Sequence, residues 1–211
     1  MMSLIDLIFK WQTLIGAVLG GMFALATALV VALTMRRREE VASGMVVVSD
    51  LTAVRIASEA LNSLAEKENI GKKEFPLWFS DKLVSSHPKL SALFEASVAR
   101  LMPVDVYLAA HLSLFQRIYS QIEIMLNKLS RDYSHFHEHG ESLRPKEHML
   151  ADYRLITRHF SMVVEHSKCA EDIITKIILS NFSTWHRVRR IFFCMSQNEK
   201  KCKDILRKGS S

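Results

Sequence analysis

The chain has 211 residues, a net charge of +6, seven glycines and three cysteines, which fits one domain of ordinary size plus an appendage. Gly16, Gly20 and Gly21 lie in one apolar block and Gly209 near the end. The three left for the body, Gly44, Gly71 and Gly140, are too dispersed for a GxGxxG turn or a P-loop, so the glycine-rich nucleotide folds are excluded. Cys169, Cys194 and Cys202 are odd in number and lack CxxC spacing. They read as ordinary thiols of a reducing compartment, neither a disulfide framework nor a zinc site.

The first predicted element is a membrane span. No charged residue occurs from Leu14 to Met35. A helix of that length rises roughly 33 Å, enough for a hydrocarbon core of about 30 Å. Lys10 and Trp11 mark one interface and Arg36, Arg37 and Arg38 the other, and this asymmetry places the C-terminal side in the cytoplasm. Residues 1–13 are then a short outer-face tail, 14–35 the transmembrane helix, 36–195 a cytoplasmic helical domain and 196–211 a basic, flexible tail. A cleaved signal peptide would have a shorter apolar region and no arginine stop. A buried core helix of this length would be unusual in so small a domain. Gly16 and Gly20, followed by Ala24, Ala28 and Ala32, keep small residues four apart, a spacing compatible with self-association of the span.

Beyond the arginines, Glu39 to about Asn69 reads as a juxtamembrane helix with Val47, Leu51, Val54, Leu61 and Leu64 on one face. Residues 70–75 read as a loop. Pro76 opens a short helix to about Ser86, and Pro88 opens another carrying Leu90, Leu93, Phe94, Ser97, Val98 and Leu101. Pro103 begins the longest pattern: Leu108, Leu112, Phe115, Tyr119, Ile122, Leu126, Leu129, Tyr133 and Phe136 alternate steps of four and three. Past Gly140 and Pro145 a second series follows, Met149, Tyr153, Ile156, Phe160, Val163, Ser167, Ala170, Ile174 and Ile177. Two such stripes joined by a short polar loop predict an antiparallel helix pair. A last helix from Ser183 to Met195 carries Trp185, Val188 and Phe192, and a polar, frayed end follows. No sustained period-two alternation occurs, so the class is all-α: one N-terminal transmembrane helix and a soluble helical bundle.

The opening Lys10-Trp11-Gln12-Thr13-Leu14-Ile15-Gly16, the long span, the arginine cluster and the late Ser183-Thr184-Trp185 resemble a group of uncharacterised single-span, N-terminally anchored helical proteins of proteobacteria. The resemblance covers most of the chain and implies a bacterial inner-membrane location. It carries no activity and no site residues, and this chain departs from the group in its histidine cluster and basic end.

His135 and His139 share a helix face at i and i+4, a spacing able to hold a transition metal, with His137, His148, His159 and His166 further along. A solvated, histidine-rich helix end accounts for the same residues. A phosphorelay role for His159 or His166 would need an ATP-binding partner, and Glu165 with Asp172 is a carboxylate pair of a kind common on helix surfaces. Between Arg187 and Lys208 eight basic residues (Arg187, Arg189, Arg190, Lys200, Lys201, Lys203, Arg207, Lys208) face two acids, Glu199 and Asp204. Near a bilayer their nearest anionic partner is the inner leaflet; nucleic acid is the rival, with no zinc-finger or RNP-type signature but room for a helix-turn-helix in an all-α chain, and a solvated end accounts for the same charges.

No catalytic, cofactor or metal residue is assigned from the sequence. The expectation is a non-enzymatic, membrane-tethered helical interaction or scaffold module with the bilayer and a protein as partners, compatible with homo-oligomerisation. The alternative is a metal- or signal-responsive regulator using the histidine-rich segment 135–139.

Overall fold

The computed structural model describes residues 4–139, 145–180 and 197–208, and every regular element among them is helical. In chain order these are α1 (Leu4–Lys67), α2 (Phe75–Ser86), α3 (Phe94–Leu101), a 3-10 turn (Met102–Val104), α4 (Val106–His139), α5 (Lys146–Ile174) continuing into a π turn (Thr175–Leu179), and α6 (Gln197–Lys208). The chain divides into two compact units, Met1–Ala42 and Ser43–Ser211. Helix α1 contributes to both.

In the first unit α1 is long and apolar enough to cross a bilayer. Its most apolar 18-residue stretch has a mean hydropathy of 2.3, and none of it is buried by protein. A core helix would be covered. The polar groups are satisfied within the helix: Thr27 Oγ1 donates to the Phe23 carbonyl at 2.8 Å and Thr34 Oγ1 to that of Val30 at 2.7 Å. At the basic end, Glu40 accepts from Arg36 at 3.2 Å and pairs with Arg37 at 3.8 Å.

The second unit begins with the remainder of α1, whose Val47, Leu51, Val54, Leu61 and Ala65 are buried. The helix stops at Asn69, which adopts the left-handed conformation (φ 54°). The Ile70 N–H returns to the Ala65 carbonyl at 3.0 Å and that of Asn69 to Glu66 at 3.2 Å, so the last carbonyls are not left bare. Pro76 lies in the first turn of α2, where a missing N–H costs nothing. The Trp78 Nε1–H donates to Glu68 Oε2 at 2.9 Å.

Helices α4 and α5 form the centre. Tyr133 meets Tyr153 (3.1 Å between hydroxyls), Lys128 meets Asp152 (3.6 Å) and His111 meets His166 (3.0 Å). Sequence separation grows steadily along that series, as antiparallel helices require. On α4 every stripe residue from Leu108 to Leu129 is buried; on α5 every one from Tyr153 to Ile177 is. Aromatic contacts tie the shorter helices to this pair: Phe79 of α2 stands edge-on to Phe160 at 5.5 Å, and Phe94 of α3 lies 5.7 Å from Phe115. From α1, Arg55 pairs with Glu171 of α5 at 3.5 Å, and Thr52 donates to the same carboxylate at 3.2 Å. Gly44 permits a close approach, because a Cβ there would meet a methyl of Ile174 and another of Ile178, each at 3.2 Å.

Several expectations are corrected. Leu64 is exposed and Ala65 takes the inward place. Residues 88–93 do not begin a helix: the Tyr119 hydroxyl donates to the Pro88 carbonyl, and Asp50 accepts from both the backbone N–H and the hydroxyl of Ser91 (3.2 and 2.7 Å). These side chains hold the segment outside helical geometry, so α3 starts at Phe94. Pro103 falls in the 3-10 turn, and α4 is started by Asp105, whose Oδ1 accepts the Leu108 N–H at 2.9 Å. The end expected to be frayed contains the helix α6, with Cys202 buried. The predicted helix at Ser183–Met195, with Arg187, Arg189 and Arg190, lies outside the described residues.

Candidate functional site

The stripe on α4 contains an interloper. His111 follows Leu108 by three and precedes Phe115 by four, so it shares the inward face, and it is completely buried. On α5 the same logic buries His166, between Val163 and Ala170, at 2% exposure. The two rings face each other with centroids 5.3 Å apart and Nδ1 to Nδ1 at 3.0 Å. Two imidazoles so placed share one proton between the facing nitrogens, one N–H donating and one lone pair accepting.

Burial holds both below the usual histidine range. His111 is lowered to about 4, first by desolvation and then by the charge His166 would carry, with a smaller opposing effect from the Cys202 backbone. His166 is lowered by desolvation, against the opposing influence of Glu165. The His111 Nε2 is buried and makes no hydrogen bond. An orphaned buried acceptor costs about 1–3 kcal/mol, which a well-packed hydrocarbon would not.

One turn beyond His166 on α5 is Cys169, and α6 brings Cys202 to it. The two form a disulfide with Cα atoms 5.7 Å apart across a sequence separation of 33. This corrects the expectation of unpaired thiols. Spacing gave no sign of the pairing, because the partners sit on different helices with 181–196 between them. A ring nitrogen of His111 and the sulfurs of Cys169 and Cys202 lie within 4.8 Å of one another. The arrangement combines a disulfide, an imidazole whose Nε2 makes no hydrogen bond, and a second imidazole behind the first. Such a set can undergo thiol–disulfide exchange and, as dithiolate, can ligate a soft or borderline metal.

Apart from His166, the residues singled out from the sequence fall elsewhere where they are described. His135 is half-buried near the end of α4, and the side chains of His137 and His139 lie outside the described residues. His148 is exposed. His159 is half-buried with Nδ1 unpartnered, and burial, reinforced by Arg158, lowers its pKa. The burial of His166 removes it as a phosphoryl acceptor, since no partner domain could reach it. Glu165 and Asp172 stand two turns apart, about 10 Å along the axis, and Asp172 is bound to Lys176 at 2.6 Å. They are not a catalytic pair. Among the basic residues of the end, Lys200 and Lys201 are exposed, while the Lys203 ammonium lies 5.8 Å over the Tyr107 ring.

An open cleft of about 680 Å³ is lined by His87, Lys89, Ser91, Gln116, Tyr119 and Glu123, among others. Its Tyr119 hydroxyl is committed to Pro88, and desolvation, then Glu123 and Asp50, disfavour its ionisation. The cleft therefore presents no activated base from this tyrosine. No protein-family model, no curated protein and no solved structure matches the chain.

Proposed function

We propose that the chain is a single-span protein of a bacterial inner membrane, anchored by residues 14–35, with residues 1–13 outside and 36–211 in the cytoplasm. Its helical body serves as a non-enzymatic protein-interaction or scaffold module held at the membrane surface. One observation carries this reading: the apolar part of α1 is covered by no protein and is closed by Arg36, Arg37 and Arg38. Ten Leu, Ile, Val and Phe residues between 14 and 35 contribute about 3–6 kcal/mol to insertion on a translocon scale. The internal hydrogen bonds of Thr27 and Thr34 leave no hydroxyl unsatisfied in lipid. A Cβ at Gly16 or Gly20 would meet nothing within 4 Å, so the small-residue face is open to a second span.

Alkaline carbonate extraction of native membranes tests the anchor. The full chain is expected to remain in the pellet, and a variant carrying Leu25→Arg and Leu29→Arg to be released. Release of the unaltered chain would reduce α1 to a peripheral or covered helix.

A second reading, a metal-responsive regulator, is favoured by the buried His111–Cys169–Cys202 cluster. In that case the responsive element is not the 135–139 segment.

A further inference from the structure

We propose that, once reduced, Cys169, Cys202 and His111 form a binding site for a zinc-class divalent metal ion, with His166 as the positioning residue behind His111. The donor set is the first argument. Two thiolates and an imidazole are ligands that zinc accepts, with metal–sulfur bonds of about 2.3 Å and metal–nitrogen bonds of about 2.0–2.1 Å. Donor atoms around one tetrahedral ion are then roughly 3.4–3.8 Å apart. The three donors already lie within 4.8 Å of one another, so no helix has to travel far.

The second argument is the unused lone pair. When the His111 Nδ1–H donates to His166 Nδ1 at 3.0 Å, the lone pair of His111 is on Nε2, a buried nitrogen that makes no hydrogen bond of normal geometry even with the Cys202 backbone beside the ring. A metal-bound histidine usually donates its other ring N–H to a fixed acceptor, which sets its tautomer and orientation. His166 supplies that acceptor from the neighbouring helix. The three ligands come from α4, α5 and α6, so an ion would pin α6 to the central pair, as the disulfide does.

The disulfide and the metal are alternatives. One equivalent of a dithiol, or two of a monothiol such as glutathione, breaks the S–S bond. The reductant is oxidised to its own disulfide, and Cys169 and Cys202 receive two electrons and two protons. The metal then displaces both thiol protons, and a fourth position is left for water or an incoming group. Reduction in the cell rests on the cytoplasmic placement proposed above. Binding to the purified chain does not, so failure of the topology and failure of the site are separate results.

The test uses the full chain in detergent, with cobalt(II) as the spectroscopic stand-in and a phosphine as reductant. The reduced chain is expected to bind one cobalt with thiolate-to-metal charge transfer in the near ultraviolet and the visible bands of a tetrahedral ion. The oxidised chain should show neither. Cys169→Ser and Cys202→Ser should each lose the two-sulfur spectrum while retaining the helical circular dichroism of the parent. Cys194→Ser should leave the spectrum intact. His166→Phe should weaken affinity by about 10–100-fold, and His166→Gln, whose amide oxygen can accept from His111, should recover part of it with the same charge-transfer bands. Adventitious binding by the 135–139 segment would give no sulfur bands and would vanish in His135→Ala/His139→Ala. A reduced, folded chain without sulfur-to-cobalt charge transfer, or one whose bands survive both cysteine substitutions, overturns the proposal.

Discussion

Breaking the Cys169–Cys202 bond should cost the body a large part of its stability, and the amount can be worked from the chain path. The partners are 33 residues apart. Restricting an unfolded loop of that size removes about 12.5 cal/mol/K of chain entropy, or about 3.7 kcal/mol at 25 °C. Among the described side chains of α6, Cys202 is buried, Ile205 and Leu206 are half-covered, and Lys203 rests on Tyr107. The assay is urea unfolding of residues 36–211 followed by circular dichroism, oxidised against reduced, with a chelator present to keep out metal. The free-energy difference should be about 3–4 kcal/mol, a factor of several hundred in the unfolding equilibrium. The Cys202→Ser variant should match the reduced protein and ignore reductant. If the oxidised and reduced unfolding curves coincide, the cross-link does not close this loop, and the placement of α6 against α5 is wrong.

Three further outcomes follow from the same packing. Phe160 is 1% exposed and stands edge-on to Phe79, so Phe160→Ala should destabilise the fragment by about 3–5 kcal/mol; a neutral result in denaturant would mean the core face of α5 is misplaced. At Gly44, a Cβ already sits 3.2 Å from two stiff isoleucine methyls, so Gly44→Val should lower stability by about 1–3 kcal/mol in the same assay despite its better helix propensity. The pH dependence has a definite sign. His111 titrates near 4 when folded and near 6.5 when unfolded, so between those values the unfolded chain binds more protons. Its contribution is fully present above about pH 6.5 and is lost as pH falls towards 4, on the order of 3 kcal/mol. A His111→Phe variant should show a flatter pH profile in that window, and an unchanged slope would remove His111 as its source.

The central helices were legible because a heptad-like stripe is local information. Phe115, Ile122, Ile156 and Phe160 advertise their burial through neighbours three and four residues away. Leu64 was misjudged because, one turn from a helix end, hydrophobicity alone does not choose between it and Ala65. The start of α3 depends on Asp50, which bonds Ser91 from 41 residues away, and on Tyr119, which bonds Pro88 from 31 residues away. No window over 88–101 contains them. The candidate site was hidden for a related reason. The register of His111 between Leu108 and Phe115 is a readable signal that this imidazole is inside, masked only by the leucine and phenylalanine pattern around it. His166 sits on the inward face beside Ser167, and one further turn brings Cys169. A listing of polar residues at inward positions would therefore have gathered three of the four members. Cys202 would still have been missed, because the polar composition of 197–208 reads as a solvated end, and only tertiary packing makes it a helix with a buried sulfur.

The side of the membrane on which the helical body resides decides whether Cys169 and Cys202 meet a reducing or an oxidising compartment. Alkaline phosphatase and green fluorescent protein, each fused after Ser211 of the full chain, report the two sides of the membrane with opposite signals. A span over residues 14–35 with Arg36, Arg37 and Arg38 on its inner side predicts a fluorescent, phosphatase-negative pair. A phosphatase-positive, non-fluorescent pair would contradict it, placing the helical body and its Cys169–Cys202 bond on the oxidising side of the membrane.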